Sequence, residues 1–221
     1  EWRGISLGRG GRGQGGPFHW EDEDTMLRRF QQVDVFAPRA FTGNPLAVVL
    51  DGEGLSTEDM LQVTRWLNLS ETTFLLPPTT AAADYRVRIF TLARELPFAG
   101  HPTLGSCHAW LAAGGTPKQS DRVVQECAAG LIAVKRDADR LAFAAPPLLR
   151  SGPLDEPLML HLASVLRIRR DQIVDAHWVD NGPGWVGLLL ADAATVLAID
   201  PDFSRHSGPG SLDIGLVGPT P

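Results

Sequence analysis

Cysteine is scarce in this chain of 221 residues: there are two, Cys107 and Cys127. Neither sits in a CxxC or other metal-type spacing, and a pair cannot build a disulfide framework, although it could form one bridge. Both flank apolar segments, so buried free thiols in a reducing compartment are the expectation. A long apolar run is also missing, since none reaches the ~18 residues that a membrane span needs. The amino end is Gly/Arg-rich and has no charged start followed by an apolar stretch, so no signal peptide is expected in it. Basic charge is in deficit: 20 Lys and Arg stand against 26 Asp and Glu, a net charge of -6. Nucleic-acid surfaces carry a basic stripe, and here the basic residues are scattered. The expectation is a cytoplasmic, soluble protein with no nucleic acid and no membrane among its partners.

Several chemistries are excluded by missing motifs. No HExxH occurs, and no Gly-Lys-Ser/Thr follows the glycine-rich start to make a phosphate loop. There is no GxSxG elbow for a serine hydrolase. His101 and His108 are seven apart, about two helical turns, so joint metal coordination is not expected. The metal expectation is none.

What is present is a core-forming composition, 43% apolar, preceded by an unusual leader. Residues 4–16 read GISLGRGGRGQGG, and Glu21-Asp22-Glu23-Asp24 is an acidic run. Such a stretch cannot bury enough apolar area to offset its ordering entropy. Residues 1–25 are therefore read as a disordered leader or non-native extension, with an RGG-type arm as the alternative.

From Met26 the pattern turns globular. Strands are predicted over 30–36 and 46–50, with a turn at Gly43-Asn44-Pro45 between them. Ser56 caps a helix whose Glu58 and Asp59 suit its positive end. Met60, Val63, Trp66 and Leu67 form its apolar stripe, and Asn68-Leu69-Ser70 closes it. Strands follow over 72–76 and 85–91. The helix over 101–113 has Pro102 in its first turn and small or apolar residues on nearly every side, the pattern of a helix buried all round. Strands at 122–127, 130–135 and 140–144 complete a sheet wrapped around it. Residues 26–146 thus form one lobe. Residues 147–221 begin a second, similar order: helix 158–166, strands 173–179 and 185–190, helix 191–199, strand 212–217. Trp178 and Trp185 flank a second Asn-Gly-Pro turn and read as core or interface residues, with ligand stacking as the alternative.

Two segments could carry chemistry: Ser70-Glu71-Thr72-Thr73-Phe74, and Glu95-Leu96-Pro97-Phe98-Ala99-Gly100-His101-Pro102-Thr103-Leu104-Gly105. Glu71 lies where a helix gives way to an apolar strand, either as a solvated loop carboxylate or as a base. His101 opens the buried helix, either as a capping core histidine or as a titratable neighbour of a ligand. Gly100 permits close backbone approach, and the unpaired N–H groups of a helix start suit a carboxylate.

These segments, together with Phe41-Thr42-Gly43-Asn44-Pro45-Leu46-Ala47-Val48 and Arg88-Ile89-Phe90-Thr91, resemble successive signatures of the PhzF-like phenazine-biosynthesis family. The resemblance covers roughly Met26 to the carboxyl end. It implies an α+β, diaminopimelate epimerase-like fold, two similar lobes that each wrap a barrel-like sheet around a central helix, with the second lobe incomplete. It also implies a cofactor-free isomerase that moves a proton on a small carboxylate substrate, of the trans-2,3-dihydro-3-hydroxyanthranilate type. By the same resemblance Glu71 is the catalytic proton-transfer carboxylate. Ser70, Gly100 and His101 line the substrate pocket, no metal or organic cofactor takes part, and a homodimer is the expected assembly. A base serving this chemistry must reach both carbon positions and have its pKa raised toward the working pH.

The sequence departs from the family in three ways. Ala99 occupies the slot where the two-thiol epimerases of this fold carry a cysteine, so a thiol racemase is excluded and Cys107 is read as packing. Thr91-Leu92-Ala93-Arg94 differs from the usual rim. The family's second-lobe acidic residue followed by Thr-Gly-Ser-Ala has no counterpart, which leaves two alternatives. One is an isomerase or epimerase for another small carboxylate, and the other is a truncated, non-catalytic binding protein.

Overall fold

The computed structural model describes residues 3–7, 26–138, 140–206 and 213–220. The chain divides into two compact units, 1–144 and 145–221.

In the first unit the strands are β1 (Arg3–Leu7), β2 (Met26–Val35), β3 (Asn44–Val49), β4 (Glu71–Leu76), β5 (Tyr85–Thr91), β6 (Glu95–Leu96), β7 (Arg122–Cys127), β8 (Gly130–Asp137) and β9 (Arg140–Phe143). Among the described residues they form one sheet in the order β1-β2-β3-β4-β5-β7-β8-β9, with β6 paired to β5. β3 runs parallel to β4 and β5 parallel to β7, while the neighbouring pairs are antiparallel. A parallel pair needs a crossover. Helix α1 (Thr57–Leu67) supplies the first and α2 (Gly100–Ala112) the second. Of the predicted leader, Arg3–Leu7 pairs with β2 as β1. Residues 1, 2 and 8–25 lie outside the described residues.

α1 packs on one face of the sheet, where Met60 and Val63 meet Val49, Phe74 and Phe90. Ser56 caps it as the sequence predicts. The Ser56 hydroxyl accepts from the Asp59 N–H at 3.1 Å, and the Asp59 carboxylate accepts from the Ser56 N–H at 3.0 Å. The predicted apolar stripe needs one correction: Trp66 is 75% exposed and Thr64 is fully buried in its stead. At 100° per residue Thr64 and Leu67 flank the direction of Met60, whereas Trp66 points about 120° away. The Thr64 hydroxyl is satisfied by donating to the Met60 carbonyl at 2.8 Å.

α2 occupies the other face and packs against β2, β3, β4, β7 and β9, so the sheet curls around it from both ends. Gly105 makes this closeness feasible, since a Cβ there would lie 2.5 Å from Leu46 Cδ2 and 2.9 Å from Val35 Cγ2. Polar groups beside the helix are paired. Tyr85 donates to Gln125 Oε1 at 2.9 Å, Gln125 donates to Thr103 Oγ1 at 3.1 Å, and Thr103 donates to the Ala99 carbonyl at 2.9 Å. Ser106 donates to Thr73 Oγ1 at 2.8 Å. The helix is not buried all round, however: His108 is exposed and Leu104 and Leu111 are only half-buried. These residues recur every three to four positions, so one stripe faces outward. Leu104 and His108 form part of the wall of a groove of about 1280 Å³ that Gln31, Val33, Arg140 and Leu141 also line.

Cys107 on α2 and Cys127 on β7 are both buried and unpaired. Cys107 is core packing, and burial pushes its thiol up to about 12.

The second unit comprises β10 (Arg150–Pro153), α3 (Glu156–Leu166), β11 (Ile173–Asp180), β12 (Val186–Leu190), α4 (Ala193–Leu197) and β13 (Ile214–Val217). Its sheet runs β10-β11-β12-β13, antiparallel except for the parallel pair β12/β13. The succession β11-β12-α4-β13 therefore repeats β2-β3-α1-β4 in both order and strand direction, the repetition read from the sequence. The Asn181-Gly182-Pro183 turn is held by Asp180, whose Oδ1 accepts from the Gly182 and Gly184 N–H groups at 2.8 and 2.7 Å. Trp185 is 38% exposed, and the Arg150 guanidinium lies 3.4 Å over the Trp178 ring. No helix among the described residues is long and apolar enough to cross a membrane.

Candidate active site

Three chain reversals bring the candidate residues to one end of the first unit. The earliest is the loop before β3. Asp34 at the end of β2 takes the N–H groups of Phe41, Thr42 and Gly43 at 2.6, 3.3 and 2.9 Å. Phe41 is in the left-handed region, with φ 65°. This aspartate fixes the loop and so fixes where Asn44 begins β3.

The next reversal follows α1. Asn68 takes the left-handed conformation with φ 54° and returns the chain through Ser70 to Glu71, the first residue of β4. Parallel pairing sets Glu71 opposite Leu46, close to Asn44. The last reversal leads into α2. A bidentate Arg88–Glu95 pair at 2.6 and 2.7 Å anchors β6. Phe98, 1% exposed, packs edge-on to Phe143. Gly100 and His101 then open the helix. Ala99 at its cap offers no side-chain hydrogen bond, so the first amide N–H groups of α2 have no partner within the helix or from the cap.

At this junction His101 Nε2 lies 3.3 Å from Glu71 Oε2, with the two side chains 10% and 18% exposed. Burial holds the imidazole below its ordinary pKa, and the opposing pull of the Glu71 charge is the smaller influence. On its other side, His101 Nδ1 is 3.2 Å from Asn44 Nδ2. Ser70 Oγ donates to Asn44 Oδ1 at 3.4 Å. Glu71 and His101 thus meet directly, while Ser70 joins them through Asn44. Gly100 adjoins the pair along the chain. A Cβ there would make only an ordinary 3.5 Å contact with Phe143, so the protein's own packing does not demand glycine.

Asn44 is the member that the sequence reading missed. It was read as a turn residue because Asn before Pro is a common turn signal. The usable signal was its place in Gly43-Asn44-Pro45-Leu46, where a polar side chain stands at the head of a buried strand. Neither the groove already described nor a cavity of about 410 Å³ lined by Arg29, Asp51, Tyr85 and Trp110 includes Glu71 or His101 in its walls. No cluster of His, Cys, Asp and Glu suited to a metal occurs among the described residues.

The architecture is α+β and diaminopimelate epimerase-like, and its first unit sets a carboxylate beside an imidazole at the start of the enclosed helix. The chain belongs to the phenazine biosynthesis-like protein (PhzC-PhzF) family, whose model matches residues 33–212. It is 39% identical over 185 residues to antisense-enhancing sequence 1 of Schizosaccharomyces pombe, covering 80% of this chain and 62% of that protein. It is 42% identical over 189 residues to trans-2,3-dihydro-3-hydroxyanthranilate isomerase of Pseudomonas fluorescens, covering 82% of this chain and 64% of that one. Among solved structures, a predicted epimerase from Pseudomonas aeruginosa superposes with a TM-score of 0.63 at 29% identity, covering 79% of this chain and 63% of the other. The chain therefore spans somewhat under two thirds of the length of these relatives.

Proposed function

We propose that this chain carries the proton-transfer lobe of a PhzF-type isomerase, with Glu71 as the base that takes a proton from carbon and returns it to another position. The observation that carries the reading is the 3.3 Å approach of His101 Nε2 to Glu71 Oε2 beside an uncapped helix start. A base that works at two carbon positions must be held still yet reachable. Glu71 is held by β4 and by His101, while its side chain retains some exposure. The amide groups of Gly100 and His101 suit the carboxylate of a substrate. Neither His101 Nε2 nor Glu71 Oε2 completes a hydrogen bond among the described residues, so both remain available to a substrate.

The substrate proposed is trans-2,3-dihydro-3-hydroxyanthranilate, for which the Pseudomonas fluorescens relative is named. Another small carboxylate is the second reading, favoured by the 39% identity to a relative not named for that compound.

The test is to offer the compound to the purified chain in deuterated water and to follow product deuteration by NMR, with Glu71→Gln alongside. Turnover that the substitution abolishes supports the first reading. A folded chain that turns over only other small carboxylates supports the second. Turnover unaffected by Glu71→Gln overturns the role given to Glu71.

A further inference from the structure

We propose that Asn44 is a positioning residue that holds His101 as its Nε2–H tautomer, so that the imidazole faces Glu71 with a donor and never with a free acceptor. A neutral imidazole has one donor and one acceptor nitrogen, and an ionised carboxylate only accepts. Glu71 Oε2 lies 3.3 Å from Nε2; the two atoms do not complete a hydrogen bond, but a proton on Nδ1 would still set an imidazole lone pair beside the carboxyl oxygen in a half-closed site. A proton on Nε2 removes that conflict and makes Nδ1 the acceptor. The atom at Nδ1 is then required to donate, and it is Asn44 Nδ2 at 3.2 Å. The amide's orientation is consistent with its other end, where Oδ1 accepts from the Ser70 hydroxyl at 3.4 Å. Ser70, Asn44 and His101 Nδ1 are thereby used with consistent polarity, and the Nε2–H, which has no hydrogen-bond partner among the described residues, is left beside Glu71.

The arrangement has a chemical consequence that rests on the proton-transfer role proposed for Glu71. When Glu71 takes a proton from carbon, the nearest other basic atom is His101 Nε2, and in this tautomer that atom already carries hydrogen. The C–H bond breaks, an O–H bond forms on Glu71, and the proton cannot pass on to the imidazole. It stays on the carboxyl group until it is returned to the substrate. Loss of the Asn44 amide frees Nδ1 to take the ring proton, which opens Nε2 as a drain.

The experiment is nitrogen NMR of the histidine rings in the ¹⁵N-labelled chain, with His101 assigned by its loss in His101→Gln. The wild-type chain at mildly alkaline pH is expected to show a protonated Nε2 and an unprotonated Nδ1. Asn44→Ala is expected to shift both resonances toward tautomer averaging. Asn44→Asp, which offers Nδ1 an acceptor, is expected to move the proton to Nδ1. A wild-type ring protonated at Nδ1, or resonances that neither substitution shifts, overturns the proposal. Where the chain turns over substrate, Asn44→Ala should also lower the fraction of the migrating hydrogen retained in the product. These readouts separate the two ideas. A chain without turnover but with the stated tautomer fails the isomerase reading alone, and a chain with turnover but the opposite tautomer fails this one alone.

Discussion

Gly105 of α2 lies directly against Leu46 of β3, closer than any residue with a Cβ could without displacing its neighbour, since that atom would stand 2.5 Å from Leu46 Cδ2. Overpacking of this kind typically costs about 1–3 kcal/mol. Gly105→Ala is expected to destabilise the first unit by that order, read as a lower midpoint in urea unfolding. Leu46→Ala should relieve part of the clash in the double variant, so the two substitutions will be non-additive.

Gln125 is fully buried and serves both Tyr85 and Thr103. Gln125→Leu keeps the apolar packing but leaves the Tyr85 hydroxyl without its acceptor. A buried polar group left unpaired costs about 1–3 kcal/mol. The expected loss of stability is of that size, and adding Tyr85→Phe should recover part of it. A fully additive pair, measured by denaturant titration, would contradict the network.

His101 gives a pH dependence with a definite sign. Its folded pKa is lowered from 6.5 by burial, so below that value the unfolded chain binds a proton that the folded chain refuses. Stability is therefore full above pH 6.5 and declines as pH falls toward the lower, folded value. The slope from this one group is at most about 1.4 kcal/mol per pH unit. His101→Gln should flatten that part of the stability profile, measured as unfolding midpoints across the window.

Cys107 is fully buried, and its thiol is pushed up to about 12. Since the thiolate is the reacting form, a disulfide reagent at mildly alkaline pH should leave Cys107 unmodified in the folded protein. Cys127, also buried with a raised pKa, should react slowly. Both should react promptly once guanidinium unfolds the chain, with mass spectrometry of the labelled peptides as the readout.

The sequence made the skeleton legible wherever periodicity and chemistry agreed. The Ser56 cap, the strands around α2 and the repeat in the second unit all follow from local pattern. Trp66 was misplaced because hydrophobicity was given priority over angle, and only Thr64, with its hydroxyl turned back to the Met60 carbonyl, completes the buried face. α3 begins at Glu156, two residues before the apolar pattern does, because Asp155 caps it and Pro157 is tolerated in a first turn. β10 was not foreseen, since Arg150-Ser151-Gly152-Pro153 has neither alternation nor strand propensity and owes its conformation to pairing with β11. At the site, Glu71 and His101 could be singled out by position relative to helix ends. Asn44 could not, because its partners come from residues 26 and 57 positions away in the chain.

The parallel pairing of β3 with β4 sets the timing of assembly. Asn44 and Glu71 become neighbours only after the intervening chain has risen into α1 and come back, and His101 joins them only when the curled sheet has closed over α2. No fragment carrying one of these stretches can hold the arrangement, and loop closure makes such long-range joints slow to form. The contacts joining Asn44, Glu71 and His101 should accordingly be among the last features regained on refolding, trailing the recovery of helical signal.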